Sequence, residues 1–198
     1  IFHAPTNGIF AEVWIIAAVY QHTAKRNAMK VIGFAGWSGS GKTTLVEQVV
    51  GQIEAHGLVV SLIKHAHHEF EIDYPGKDSY RHRHAGCREV LVSSAKRWAV
   101  MHELRGRQEL TLDEALAQLS PCDLVLVEGF KRAPIAKIEI YRASIGKPQL
   151  FPNDPYIIAV ASDVTLDTPL PQLDLSDAGA IAAFIIEQYA QLQEVGVR

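Results

Sequence analysis

Cysteine is scarce in this chain, with two residues among 198, Cys87 and Cys122. Two cysteines are too few for a disulfide framework or for a cysteine-rich zinc site. Low cysteine content is typical of proteins from a reducing compartment, so we expect a cytoplasmic protein.

A large excess of charge of one sign is also missing. The chain has 19 Lys and Arg against 22 Asp and Glu, a formal net charge of −3. Dedicated nucleic-acid binders usually carry a clear basic excess, so this balance argues against nucleic acid as a partner. With 48% hydrophobic and 21% charged residues, the composition is that of a globular protein rather than a disordered or fibrous one.

The apolar segment near the start of the chain is not typical of a membrane span. Residues 9–20 are apolar but interrupted by Glu12, and they are fewer than the roughly 20 residues that cross a bilayer. A secretory signal carries its basic residues before the apolar run, whereas Lys25 and Arg26 follow it here. We therefore expect no membrane association.

The first residues of the chain differ in pattern from the rest. We interpret residues 1–28 as an extension outside the folded domain, which need not belong to the natural protein, with Met29 as the natural start. An amphipathic arm that docks on a partner is the alternative. Residues 29–198 then form one domain of 198 − 28 = 170 residues.

Strand and helix patterns alternate after Met29. Short strand-like stretches are predicted at 31–35, 58–63, 89–93, 97–101, 124–127, 137–141 and 157–161. Helical patterns are predicted from Leu45 to Ile53, from Ser79 to Ala85, from Thr111 to Leu119 and around 181–189. Thr111 and Glu114 form a capping box for the third of these helices. This alternation predicts an α/β fold with a mostly parallel central sheet and helices on both faces.

A phosphate-binding loop follows the first predicted strand. The eight residues from Gly36 to Thr43 match G-x-x-x-x-G-K-[ST], and the predicted set comprises Gly36, Ser38, Gly39, Ser40, Gly41, Lys42 and Thr43. Glycines let successive backbone N–H groups point at phosphate oxygens, and the following helix directs its positive end at the same anion. The strand–loop–helix context predicts a P-loop NTPase fold, with Trp37 pointing away from the phosphates.

Two residues of this loop and one later carboxylate have distinct predicted roles. Lys42 places a positive charge near the β- and γ-phosphates, and Thr43 can ligate Mg²⁺. A carboxylate stands at each end of the strand 124–127, and five steps separate Asp123 from Glu128 by about 16 Å, so one of them serves the metal. Ligands gather at the carboxyl ends of parallel strands, which favours Glu128 as a metal and catalytic residue.

The residue that would recognise the base of a nucleotide is less evident from the sequence pattern. Asp163 follows the strand 157–161 at the same edge of the sheet. A carboxylate there can accept hydrogen bonds from the N1–H and amino group of guanine, whereas adenine presents an acceptor at N1. A helix cap or turn residue is the alternative for Asp163, and the loop from Pro148 to Pro155 is an alternative place for base recognition.

A second polar cluster follows the second predicted strand. His65, His67 and His68 could form a metal site, an anion site, a nucleotide-sensing switch or an ordinary surface loop. The basic run from Arg81 to Arg88 suits either a phosphate-bearing small molecule or a solvated helix face.

Five motifs in this order resemble one known family. They are 36–44, the stretch Lys64-His65-Ala66-His67-His68, the stretch Gly76-Lys77-Asp78-Ser79, the stretch Glu128-Gly129-Phe130-Lys131 and residues 159–163. Together they resemble the molybdopterin-guanine dinucleotide biosynthesis protein B (MobB) family from Met29 onward. The resemblance adds Thr44, His65 and Asp78 to the nucleotide-binding residues.

The resemblance implies a function as well as a fold. It implies a homodimeric protein that binds GTP and Mg²⁺, hydrolyses GTP weakly, and assists a partner guanylyltransferase in joining GMP to molybdopterin. The molybdopterin or its dinucleotide would then be a further ligand. A P-loop small-molecule kinase is the alternative, because the run from Arg81 to Arg88 could form a lid.

Overall fold

The computed structural model describes residues 28–66 and 70–196. Most of the predicted extension, residues 1–27, lies outside these ranges, as do His67 and His68, whereas Ala28 already belongs to the first strand. The chain divides into two compact units. The first is built from residues up to His65 and from Ala115 onward, and the second spans Ala66–Glu114. The predicted domain over 29–198 thus contains both units.

The helices and strands have the following bounds. The first unit contains β1 (Ala28–Ala35), α1 (Lys42–Ala55), β2 (Val60–Lys64), β5 (Leu124–Glu128), β6 (Lys137–Tyr141), β7 (Ile157–Ser162), β8 (Gln172–Asp174), α4 (Ala178–Gln188) and β9 (Glu194–Gly196). The second unit contains α2 (Asp78–His84), β3 (Glu89–Ser93) and β4 (Trp98–His102), and α3 (Leu112–Leu116) lies across the division.

The first unit is organised around one central sheet. Six of its described strands lie side by side in the order β2-β5-β1-β6-β7-β8, and every neighbouring pair in this series is parallel. β9 pairs antiparallel with the first residues of β1, from Ala28 opposite Gly196 to Lys30 opposite Glu194. The prediction of a mostly parallel central sheet with helices is confirmed.

The centre of this sheet is fully buried. All five residues of β5 are buried, which explains why residues 124–127 form a continuous apolar run rather than an alternating pattern. Ile32, Leu126 and Ile140 join residues of α1 and α4 in one apolar cluster. The carboxyl ends of β1, β2 and β5 therefore stand together on a rigid support.

The second unit has a polar centre. Its hairpin pairs β3 with β4 antiparallel, and the Arg83 guanidinium donates to Asp73 and Glu103 at 2.6 Å each and also to Glu71. Burial acts to raise the pKa of Asp73, but the hydrogen bonds from Arg83 and Ser79 outweigh it and hold that pKa below its usual value. Arg83 is therefore committed to three carboxylates.

The predicted capping box of α3 is confirmed, but the helix is shorter than predicted. The Thr111 hydroxyl accepts from the Glu114 backbone N–H at 3.2 Å, and the Glu114 carboxylate accepts from the Thr111 backbone N–H at 2.8 Å. The helix ends at Leu116, and a turn leads to Leu119, ahead of Pro121. Within the described ranges, none of the helices combines the length and the apolar character needed to cross a bilayer.

Candidate nucleotide-binding site

The predicted phosphate-binding loop connects the end of β1 to the start of α1. Gly39 and Gly41 have φ values of 82° and 91°, which lie in the region that favours glycine. A Cβ on Gly36 would lie 2.6 Å from the carbonyl oxygen of Ile140 and 2.9 Å from the Ser40 hydroxyl. The loop can therefore curl only with glycine at these positions.

The N-terminus of α1 is left open toward this loop. No side chain caps Gly41, the first turn contains no acidic residue, and Thr44 is exposed there. The Ser40 hydroxyl is buried, and within the described part of the chain it has no hydrogen-bond partner. Uncapped N–H groups, a positive helix end and an orphaned hydroxyl together suit an anionic group such as a phosphate.

Lys42 is folded back onto the same loop. Its ammonium donates to the carbonyl oxygens of Gly36 at 3.0 Å and Trp37 at 2.8 Å. Burial first, and then the nearby ammonium of Lys131, lower the pKa of Lys42 below its usual value. A phosphate would offer this ammonium a stronger, charge-assisted acceptor than the two carbonyls.

The candidate metal ligands are in direct contact. The Thr43 hydroxyl donates to Glu128 Oε1 at 2.9 Å, at the carboxyl end of β5. Asp123, at the other end of the strand, instead accepts from the Val59 backbone N–H at 2.7 Å. Because β1 and β5 are parallel, the predicted strand orientation is confirmed, and Glu128 rather than Asp123 lies beside the loop. A hydroxyl and a carboxylate are oxygen donors that Mg²⁺ prefers.

Lys64 completes this cluster. It lies opposite Glu128 in the register of β2 and β5. Its ammonium is 3.4 Å from the Thr43 hydroxyl and 3.6 Å from Glu128 Oε2. The sequence pattern gave this residue no separate role, because it reads as the first member of the histidine-rich stretch.

The turn after β5 brings His65 against the Glu128 side of the site. Gly129 has a φ of 102°, and a Cβ there would lie 2.7 Å from His65 Cβ. Phe130 also has a positive φ, 46°, and its ring centroid is 4.7 Å from that of His65. The stretch from Glu128 to Phe130 is thus a tight turn that positions Glu128, and His65 packs on it.

Asp163 lies where the sequence places it, just after β7, but its carboxylate already has partners. Oδ1 accepts from the Ala143 backbone N–H at 2.9 Å, and Oδ2 is 3.8 Å from an Arg142 guanidinium nitrogen. Arg142 in turn donates to the Ser40 carbonyl at 3.4 Å. The carboxylate thus connects the end of β7 to the phosphate-binding loop, which is a turn-stabilising contact compatible with either interpretation of Asp163.

Two buried charges on β6 were not identified from the sequence. The side chain of Lys137 is 1% exposed, and Glu139 is 0% exposed. Lys137 pairs with Asp154 at 2.7 Å, while Glu139 accepts from the Leu150 and Phe151 backbone N–H groups at 2.7 and 2.8 Å. Burial raises the pKa of Glu139, and the two hydrogen bonds partly offset this effect.

These two charges hold the loops that border the site. Lys137 also donates to the carbonyl oxygens of Lys131 and Ala133 at 3.0 and 2.9 Å, so it joins the loop after β5 to the loop before β7. The Trp37 indole points away from the phosphate-binding site and donates to the Pro148 carbonyl at 2.7 Å. The loop from Pro148 to Pro155 is thereby held beside the P-loop.

The other predicted residues are Asp78, in the second unit, and His67 and His68, outside the described ranges. Asp78 begins α2 in the second unit, where its carboxylate is 3.7 Å from Arg81. The alternative of a histidine metal site depends on His67 and His68, which the structure does not describe. Within the described residues, no group of three or more His, Cys, Asp or Glu side chains is arranged to hold a metal ion.

Comparisons with known proteins were made by sequence and by structure. A family model described as molybdopterin guanine dinucleotide synthesis protein B matches residues 31–163. The chain is 42% identical over 167 residues to a molybdopterin-guanine dinucleotide biosynthesis adapter protein of Escherichia coli, covering 83% of this chain and 95% of the relative. It is 41% identical to a protein of that name from Haemophilus influenzae, with 84% and 93% covered.

Solved structures give the same result. A crystal structure of molybdopterin-guanine biosynthesis protein B superposes with a TM-score of 0.64 at 26% identity, covering 79% of this chain and 98% of that one. A MobB homologue from Bacillus stearothermophilus gives a TM-score of 0.61 at 25% identity, with 82% and 99% covered. The range matched by the family model includes the P-loop, the turn after β5 and Asp163. The chain belongs to the molybdopterin guanine dinucleotide synthesis protein B family.

Proposed function

We propose that this chain binds GTP with Mg²⁺ at the P-loop and acts as an adapter in the attachment of GMP to molybdopterin. The observation that carries the nucleotide part is the contact of Thr43 with Glu128, beside the ammonium of Lys42 and the open end of α1. The adapter part rests on relatives named as molybdopterin-guanine dinucleotide biosynthesis adapter proteins.

Each residue of the cluster has a distinct task in this proposal. The loop N–H groups and Lys42 hold the phosphates, while Thr43 and Glu128 hold Mg²⁺ directly or through a water. The ion, when bound, neutralises phosphate charge and thereby favours attack at the terminal phosphorus. The Glu128 carboxylate faces the ammonium of Lys64, and the rigid β5 keeps it in place.

Guanine recognition is assigned to the edge formed by Asp163 and the loop from Pro148 to Pro155. A carboxylate selects guanine over adenine because it only accepts hydrogen bonds. For Asp163 to do so, its contact with Ala143 has to be shared with the base or released.

Turnover is proposed to be slow, with the transfer chemistry residing in the partner guanylyltransferase. The kinase alternative needs mobile arginines over the phosphates. Arg83, the most buried member of that run, is bound to three carboxylates, which favours a structural role. The adapter function is therefore preferred.

We also propose that the working form is a homodimer in which a second copy covers the hairpin of β3 and β4. Leu91 and Val100 are directly opposite each other in this hairpin, and Leu91 is 64% exposed. Trp98, at the start of β4, is 66% exposed. A two-stranded sheet is marginal in water by itself, and exposed apolar patches of this kind mark protein interfaces.

Calorimetric titration tests the nucleotide proposal. The purified chain is titrated with GTP, GDP and ATP, each with Mg²⁺ and with EDTA. We expect tight binding of the guanine nucleotides with Mg²⁺ and weak binding of ATP. Equal affinity for GTP and ATP contradicts guanine recognition, and the absence of any nucleotide binding contradicts the whole proposal.

A reconstituted assay tests the adapter role. A partner guanylyltransferase, molybdopterin and GTP are incubated with and without this chain, and dinucleotide formation is measured. Stimulation is expected from the parent chain. A result with no stimulation, from a chain that binds GTP, leaves the nucleotide site standing and contradicts the adapter role.

A further inference from the structure

The position of Lys64 relative to the candidate metal ligands carries one more inference, which rests on the proposed Mg²⁺ and nucleotide function. Its ammonium faces both oxygens that are expected to ligate the metal, at 3.4 Å from Thr43 Oγ1 and 3.6 Å from Glu128 Oε2. The ammonium therefore approaches the oxygen pair from the side of β2.

The fold fixes this placement. Lys64 and Glu128 are cross-strand neighbours at the carboxyl ends of two adjacent parallel strands. The backbone N–H of the next residue, His65, donates to the Glu128 carbonyl at 2.8 Å and continues the pairing. Lys64 Cα therefore cannot move away, but its side chain is 53% exposed and its four-carbon stem is flexible.

A metal ion and this ammonium cannot occupy the oxygen pair together without repulsion. Mg²⁺ coordinates oxygen at about 2.0–2.1 Å. The doubly charged ion would therefore lie close to the ammonium of Lys64 and repel it. Metal binding therefore requires the Lys64 side chain to swing out.

We propose that Lys64 is a tethered cation that neutralises Glu128 in the metal-free protein and competes with Mg²⁺ for the Thr43–Glu128 oxygen pair. Through this competition it is a positioning residue that tunes how strongly nucleotide binding depends on the metal. When Mg²⁺ displaces it, the ammonium stays within reach of the phosphate-binding loop, because its backbone is held by β5.

Metal binding to the GDP complex provides the test. Mn²⁺ replaces Mg²⁺ so that bound and free metal can be separated by electron paramagnetic resonance, a readout that does not depend on turnover. We expect Lys64→Met to bind Mn²⁺ roughly tenfold more tightly than the parent, because the competing charge is gone. Lys64→Arg keeps the charge and should stay near the parent value.

A second measurement examines the same competition from the nucleotide side. The ratio of the GDP affinity with Mg²⁺ to the GDP affinity with EDTA should increase in Lys64→Met and in Lys64→Gln. Lys64→Gln provides a second variant in case Lys64→Met folds poorly. Lys96→Met is the control, because it removes one exposed positive charge from the turn between β3 and β4 of the second unit.

The outcomes separate this inference from the function on which it rests. Unchanged or weaker Mn²⁺ binding in Lys64→Met, with a parent that binds GDP and Mn²⁺, overturns the tethered-cation role alone. A parent that binds GDP but no metal overturns the metal site and the inference together. Tightening of equal size in Lys96→Met would show a general charge effect and would also overturn the proposed competition.

Discussion

The side chains of Thr43 and Glu128 are 85 positions apart in the chain and are joined by a hydrogen bond of 2.9 Å. Thr43 lies in the first turn of α1, and Glu128 ends the central strand β5, so this bond joins the helix to the strand across the candidate metal site. Asp123, the other carboxylate of the same segment, holds the Val59 backbone at the opposite end of β5.

Glu128→Gln is expected to weaken Mg²⁺-dependent hydrolysis more than GTP binding. The amide removes the negative charge from the metal side, while the loop N–H groups and Lys42 still hold the phosphates. Single-turnover hydrolysis and calorimetry at saturating Mg²⁺ measure the two effects. Asp123→Asn is the matched control, and a larger hydrolytic loss in that variant would contradict the assignment.

Lys42→Ala is expected to lower GTP affinity by about tenfold or more, because charge-assisted hydrogen bonds to phosphate contribute roughly 1.5–3 kcal/mol. The melting temperature should change little, since the ammonium bonds only to two carbonyl oxygens of the phosphate-binding loop. Lys147→Ala, which removes a charge from the neighbouring loop, serves as the control. GTP affinity equal to that of the parent would rule out the P-loop assignment.

Two substitutions of Asp163 distinguish a base-reading role from a turn-stabilising one. Asp163→Asn keeps an oxygen for the Ala143 N–H but replaces one acceptor with a donor. If the carboxylate reads guanine, GTP affinity falls in both Asp163→Asn and Asp163→Ala, while ATP affinity stays low and nearly constant. GTP binding preserved in Asp163→Asn, together with a lowered melting temperature in Asp163→Ala, would assign the residue to the turn.

Gly129→Ala is expected to destabilise the first unit by about 1–3 kcal/mol, because the residue would combine a positive φ with a close approach to His65. Chemical denaturation measures the change in the free energy of unfolding. Gly51→Ala is the matched control. It lies inside α1 with open space around it and should stabilise by about 0.5–1 kcal/mol. Similar effects at both positions would contradict the steric argument.

Leu91→Glu is expected to convert a dimer into a monomer, because it places a charge directly beside Val100 on the proposed interface. Light scattering after size-exclusion chromatography gives the mass of each species. Val59→Glu, an exposed apolar position of the first unit, is the control. A parent that is monomeric at all concentrations contradicts the dimer, whereas a dimeric Leu91→Glu places the interface elsewhere.

The phosphate-binding loop and the central strands could be predicted because each is determined by a short stretch of neighbouring residues. The glycines from Gly36 to Gly41 are read directly from the sequence. The choice of Glu128 over Asp123 required only that neighbouring strands be parallel, which the structure confirms. The capping box at Thr111 and the hairpin strands β3 and β4 were likewise evident from short patterns.

The polar face of β6 could not be predicted in the same way. The stretch from Lys137 to Tyr141 alternates polar and apolar residues, which predicts one solvated face. Lys137 and Glu139 are instead buried, since two loops fold over that face and supply backbone partners. β8 and β9, with three residues each, are too short to leave a periodic pattern.

The pairing of β1 with β9 has a consequence for the order in which the protein can fold. The first residues of β1 take their antiparallel neighbours from β9, the last strand along the described chain, and Lys30 is 2.9 Å from Glu194. During synthesis, the beginning of β1 leaves the ribosome long before that partner exists. The sheet can therefore close on this side only after β9 has been translated, and contacts of such long sequence separation slow folding.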